Sequence, residues 1–400
     1  MRDLSHFYKE LETSHGKEIA AATEELYSLF DDGIYKWLAS LWDGEAGGFY
    51  YSVSARDNDG FYPDMESTSQ AINNLSASGI VSEATPVPLS MQKKMIAFMK
   101  AKQDPEDGYF YHAQWGRDVT TSRRARDLGY ATSIIRKFGD EPLYPTATER
   151  IKEATRMGTA FSEGSTVPEH LRSEKAFSEY LESLGINEKS YSVGHIIGQQ
   201  VAEIKAAGLT DVCIKFLNSK QKPNGFWEDT LSHSSSNGMM KISCAYVGLD
   251  AEVPNLMTSF DSALEVLLSD LPYGAITDVF NPPFTLLNLF EIMEKTGDKE
   301  SYALAKAKLR AHGAELLRIT RDRLIPFKKP DGSFSYNKEC SSFWSQGKPV
   351  CIEGSAESDV NANSLAGGSR VRTLKVLDIP SMPLFDERDA EIFYALCGEK

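Results

Sequence analysis

The chain has 400 residues, 41% of them apolar and 25% charged, which suits a globular protein with a sizeable core and excludes a disordered chain. Its formal net charge of -14 at pH 7 repels nucleic acid and anionic membrane, so neither is expected as a partner. No run of about 18 apolar residues occurs, and the first thirty residues are charged throughout, unlike a signal peptide; a cytoplasmic location is therefore expected. The sequence carries no signal for an oligomeric state.

In chain order, amphipathic segments with apolar residues three and four apart alternate with segments that carry little charge on any face. "EIAAATEELYSLFDDGIYKWLASL" precedes "STSQAINNLSASGI", and "PLSMQKKMIAFMKAKQ" precedes "ARDLGYATSIIRKFG". "SVGHIIGQQVAEIKAAG" is the third charge-poor segment, after which "TDVCIKFLNSKQ" pairs with "GMMKISCAYVGL". "FDSALEVLLSDL" then pairs with "PFTLLNLFEIMEKTG", and "SYALAKAKLRAHGAELLRI" with "VNANSLAGGSRVRTL"; a last helix, "DERDAEIFYALCG", is placed to pack on the first. Glycine–aromatic loops punctuate the series at Gly48, Gly108, Gly225 and Gly332, with weaker copies at Gly164 and Gly274, at spacings of 49 to 61 residues. A charge-poor helix is buried on both sides. The alternation therefore predicts six inner helices ringed by six outer ones, an all-α (α/α)6 toroid forming one domain over residues 1–400.

One phrase is written twice, as "FMKAKQDPEDGYFYH" (98–112) and "FLNSKQKPNGFWED" (216–229). Its glycine permits a tight turn, its aromatics wedge between neighbouring hairpins, and its Gln is placed to bond exposed backbone at the end of an outer helix. The phrase resembles the QW motif of the terpenoid cyclase and protein prenyltransferase superfamily, and "QKPNGFW" is similar to a Gln-Pro-Asn-Gly-x-Trp stretch of family-10 pectate lyases. Both resemblances imply the toroid. They imply different chemistry, on isoprenoids or on carbohydrate, and the second makes calcium a possible cofactor; no other cofactor is expected. The Asp-x-Asp-Asp acid of protonating cyclases is missing, "RDND" (56–59) being the nearest string, and Cys244 lacks the Asp, Cys and His partners of a prenyltransferase zinc site.

Residues at the starts of the inner helices would face the centre of such a ring. Asp64, Glu66, Asp229 and Asp359 are candidate catalytic carboxylates, and Tyr191, His195 and Asn237 are candidates for proton transfer or carboxylate neutralisation. Arg117, Arg123, Arg124 and Arg126 lie within ten residues beside Trp115 and His112, a group suited to bidentate carboxylate recognition and sugar stacking. Lys241, Asn361 and Trp227, the last among the aromatics that follow the glycine turns, complete the substrate-binding set. Structural readings stand beside these: Asp64, Asn237 and Asp359 as helix caps, His195 as a core imidazole, Arg126 with Asp127 as an ion pair, and the arginines as a solvated patch.

The expected function is cleavage of a glycosidic bond in an acidic, uronate-containing oligosaccharide, by β-elimination or hydrolysis. The alternatives are a terpenoid cyclase-like enzyme and a toroid that binds a ligand without catalysis. The five cysteines form no CxxC pair or metal-ligand spacing and are expected as reduced thiols.

Overall fold

The computed structural model describes residues 2–160, 162 and 165–399, so the loop candidate at Gly164 lies outside the described residues. Twelve helices carry the alternation. They are α1 (Lys17–Tyr27), α2 (Met65–Ser78), α3 (Leu89–Lys100), α4 (Thr121–Lys137), α5 (Ala147–Met157) and α6 (Ser190–Gln199). The second half supplies α7 (Thr210–Lys220), α8 (His233–Leu249), α9 (Leu256–Leu268), α10 (Thr277–Thr296), α11 (Gly313–Leu324) and α12 (Val360–Val376). Shorter helices flank them, and two small antiparallel hairpins join β1 (Trp42–Asp43) to β2 (Gly48–Phe49) and β3 (Trp344–Ser345) to β4 (Lys348–Pro349).

Burial separates the two sets at the extremes but not throughout, since outer α9 buries seven of its thirteen residues and inner α4 eight of its seventeen. Eleven of the fourteen residues of α2 are buried, whereas α5 buries only Ala147 and Ile151 of its eleven. The even-numbered helices pack in a closed order: α2 on α4, α4 on α6, α6 on α8, α8 on α10, α10 on α12, and α12 back on α2. Outside them, α11 packs on α1, bringing the last amphipathic helices against the first. The terminal helix Glu387–Leu396 packs on Gly33–Ala39, also in the first unit, with Phe385 edge-on to Tyr35 at 4.9 Å. One contiguous apolar cluster draws on residues from Phe7 to Phe393.

The repeated phrase builds the joints of this packing. Gly108, Gly225 and Gly332 adopt φ of +77°, +79° and +87°, a region that L side chains avoid. Each also lies against the backbone or side chains next to another outer segment. A Cβ on Gly108 would sit 2.3 Å from the Pro145 carbonyl oxygen before α5, and one on Gly225 would sit 2.4 Å from the Ser259 nitrogen in α9. The glutamines reach across to the same partners: Gln103 exchanges two hydrogen bonds with the Tyr144 backbone, and Gln221 accepts from the Asn255 amide. They therefore bond the start of a following outer helix rather than the end of their own. In the first loop the left-handed turn falls on Gly47, φ +81°, rather than Gly48, and Gly274 has no positive φ.

A second difference concerns α10, which begins at Thr277 and runs through Pro282 and Pro283. The charge-poor segment "PFTLLNLFEIMEKTG" read from the sequence starts only at Pro283; each proline lacks an N–H and removes one intrahelical bond. Both prolines are buried within the helix. All five cysteines are free thiols, with Cys213 and Cys351 buried. Among the described residues no helix is long and apolar enough to cross a membrane.

Candidate functional site

The helices in the closed order surround a cavity of about 310 Å3, and every one of the six contributes to its wall. Glu66, Gln70 and Asn73 come from α2, Arg126 and Tyr130 from α4, Tyr191 from α6, and Lys241 from α8. Phe280, Asn281 and Phe284 of α10 and Asn361 of α12 complete the ring, while Tyr336 and the hairpin residues Trp344, Ser345 and Gln346 lie over it.

Glu66 is the most heavily bonded group. Its carboxylate accepts from Arg126 Nη2 at 2.5 Å, Ser345 Oγ at 2.7 Å, Gln70 Nε2 at 3.0 Å and Arg123 Nη1 at 3.1 Å. Burial by itself would raise this carboxyl, but the guanidinium groups of Arg126 and Arg123 outweigh it and hold the group below its ordinary range. Arg123 is fully buried, donates to Asp127 at 2.9 Å and lies 3.7 Å from Asp64. Trp115 lies 4.3 Å from its guanidinium and 4.8 Å from His112, whose Nε2 bonds the Pro63 carbonyl. His112, Trp115 and Arg123 thus form a pile behind Glu66 that fixes its place, and they do not line the cavity.

Lys241 has no carboxylate within ion-pair distance among the described residues, and its ammonium lies 5.5 Å from the Tyr191 ring. Burial, followed by the like charge of Arg126, pushes it down to about 8. His195 Nε2 is 2.6 Å from Gln346 Oε1, and burial drives the imidazole down to about 2. It is therefore neutral and serves as a hydrogen-bond donor to the hairpin. Burial also raises the Tyr191 phenol, keeping it protonated at neutral pH. Two buried polar atoms on this wall, Gln70 Oε1 and Arg126 Nε, have no hydrogen-bond partner among the described residues, which leaves them free for a group that enters the cavity.

The structure thus gathers Glu66, Arg126, Tyr191, Lys241 and Asn361 from the sequence-based set around one cavity, with His195 beside them. Asp64 and Asp359 are N-caps of α2 and α12, accepting from the Ser67 and Ala362 amides. Asn237 is not a cap, since Ser232 caps α8; it donates to Asp278 and accepts from Asn281. The remaining four do not join the cavity. Asp229 is an exposed partner of Lys222, and Arg117 is an exposed partner of Asp104 and Glu106. Arg124 stacks over Tyr109 at 4.6 Å on the outer side of α4. Trp227 is a core residue whose indole donates to the Leu217 carbonyl.

The chain matches no protein-family model, no curated protein and no solved structure. What the site can do must be read from its own groups. Among the described residues no three His, Cys, Asp or Glu side chains are grouped to hold a metal ion. Glu66, already shared by two guanidinium groups, does not suit calcium, which takes six or more oxygen ligands.

Sequence reasoning missed Asn73, Tyr130, Phe280, Phe284, Tyr336 and Trp344. A signal existed for some of them. Glu66, Gln70 and Asn73 are spaced i, i+4, i+7, and Arg126 and Tyr130 i, i+4, so each wall continues one turn deeper along the same helix face. The hairpin offered none, because nothing local says that residues 344–346 close over helices distant in sequence.

Proposed function

We propose that the six helix pairs form an (α/α)6 toroid, and that its central cavity binds the uronate of an acidic oligosaccharide and cleaves the bond at its C4 oxygen by β-elimination. The observation that carries this reading is the convergence of Arg126 and Lys241 on a cavity lined by tyrosines and side-chain amides, whose carboxylate, Glu66, is already neutralised. The closed packing order of the even-numbered helices supports the toroid.

In this reading Arg126 holds the substrate carboxylate, which makes the proton at C5 more acidic. The free amine of Lys241 takes that proton, the electron pair forms the C4–C5 double bond, and the C4–oxygen bond breaks. Tyr191 gives its phenolic proton to the departing oxygen. The phenolate then recovers a proton from the Lys241 ammonium beside it, which restores both groups. Asn73, Asn281 and Asn361 are suited to sugar hydroxyls.

Hydrolysis requires two opposed carboxylates, and the other candidates are committed to helix caps or lie outside the cavity. An isoprenoid reading fits poorly with amides and paired charges on the wall. The test is a panel of uronate oligosaccharides followed both at the ultraviolet absorbance of the unsaturated product and for new reducing ends. Both signals are expected to rise together. New reducing ends without the absorbance would establish hydrolysis instead, and loss of neither signal in Lys241→Ala would remove the assigned base.

A further inference from the structure

Beside the cavity lies a second, more open space of about 730 Å3 at the starts of α6, α8 and α10. Tyr191, Thr277 and Tyr336 line both spaces and form the partition between them. The charges on the two sides are opposite. The cavity presents Arg126 and Lys241 with one carboxylate, Glu66, which Arg123 behind it also pairs, whereas the cleft presents the carboxylates of Glu188, Glu228 and Asp278 against one ammonium among the described residues, that of Lys189.

Two of the three cleft carboxylates are held in place. Glu228 accepts from the Ser190 amide at 3.2 Å and its hydroxyl at 2.5 Å, and Asp278 accepts from Asn237 at 2.8 Å and the Gly274 amide at 3.0 Å. Neither has a cation in ion-pair contact among the described residues, so their negative field is left for whatever enters. His233 also lines the cleft and is 6% exposed; its Nε2 lies 3.3 Å from the Leu271 carbonyl oxygen, and its Nδ1 has no hydrogen-bond partner among the described residues. Burial lowers its pKa, so it adds little positive charge at neutral pH.

We infer that this cleft is a second subsite, which takes the sugar linked to C4 of the cavity-bound uronate and selects one bearing a free amine. This rests on the uronate reading of the cavity. A polyuronate would place a second carboxylate among Glu188, Glu228 and Asp278, where like charges repel, and an N-acetylated sugar would forgo the attraction. The substrate class is then a zwitterionic 1,4-linked disaccharide unit, with acid in the cavity and ammonium in the cleft.

The experiment is calorimetric titration of four sugars: free glucuronate, and disaccharides carrying glucosamine, N-acetylglucosamine or glucuronate on its O4. The free-amine disaccharide is expected to bind at least ~10-fold tighter than the N-acetyl form at low salt. The gap should shrink near 1 M salt, where the screening length falls to ~3 Å. Glu188 is exposed, so Glu188→Lys is expected to fold normally and to reduce the preference while leaving free glucuronate affinity unchanged. Binding of glucuronate with equal affinity for the amine and acetyl forms, or tighter binding of the diuronate, would overturn the subsite and leave the cavity reading intact. If free glucuronate and all three disaccharides fail to bind, both fall.

Discussion

At the scale of single residues, Glu66 and Lys241 carry opposite burdens. Glu66 compensates Arg126 and shares Arg123 with Asp127 and Asp64, so Glu66→Gln leaves the Arg126 guanidinium without its counter-charge, and a loss of about 3–5 kcal/mol is expected in chemical denaturation. The carboxyl sits below its ordinary value of 4.5. Its contribution to stability is therefore complete above that value and is lost as pH falls through the lower folded value. Lys241 is the reverse case. Its folded value of about 8 lies below the ordinary 10.5, so the unfolded chain binds the extra proton between those values, and this group favours the folded state increasingly as pH rises through that window. Uronate affinity is expected to fall as pH rises through about 8 and the ammonium is lost, while turnover rises at higher pH, because the bound carboxylate raises the amine's pKa in the complex. Measuring KM and kcat separately across that range checks both. Lys241→Met should abolish turnover and the pH dependence of uronate affinity, and raise, not lower, the melting temperature, since it removes a half-buried charge that lacks a carboxylate partner among the described residues.

At the scale of elements, the glycine turns are constrained twice, by backbone conformation and by contact. Gly225→Ala meets both a φ of +79° and the Ser259 backbone at 2.4 Å, whereas Gly60→Ala meets a φ of +91° with nothing within 4 Å. The exposed change should cost about 1 kcal/mol and the buried one clearly more, on the order of 3 kcal/mol or above. Equal costs in a melting comparison would show that the contact with α9 contributes nothing. These turns were legible in the sequence because a glycine that a turn requires is a local signal, whereas the partners of the paired glutamines lie 34 to 41 positions on. The hairpin over the cavity was not legible, although Gln346 and Gly347 have φ of +54° and +81° and form a tight turn of the kind that suits two-residue hairpins. Its turn could be read; its destination could not, because Ser345 and Gln346 bond Glu66 and His195, residues 279 and 151 positions away.

At the scale of the whole molecule, the alternation of amphipathic and charge-poor helices was readable because burial on one side or two leaves different residue patterns. Which polar residues face the centre was only half readable. An aspartate before a helix can cap it or serve chemistry, and the sequence looks the same; Asp64 and Asp359 proved to be caps, while Glu66, two residues into α2, reached the cavity. The arginine cluster likewise divided by helix face, with Arg126 turned inward, Arg124 outward and Arg117 left at the surface. Six helices distant in sequence thus bring acid, amide, phenol and amine groups to one wall. A crystal structure with glucuronate bound tests the central assignment most directly. The sugar carboxylate is expected within about 3 Å of both Arg126 and Lys241, and a sugar seated elsewhere, or with its carboxylate turned away from both, would contradict it.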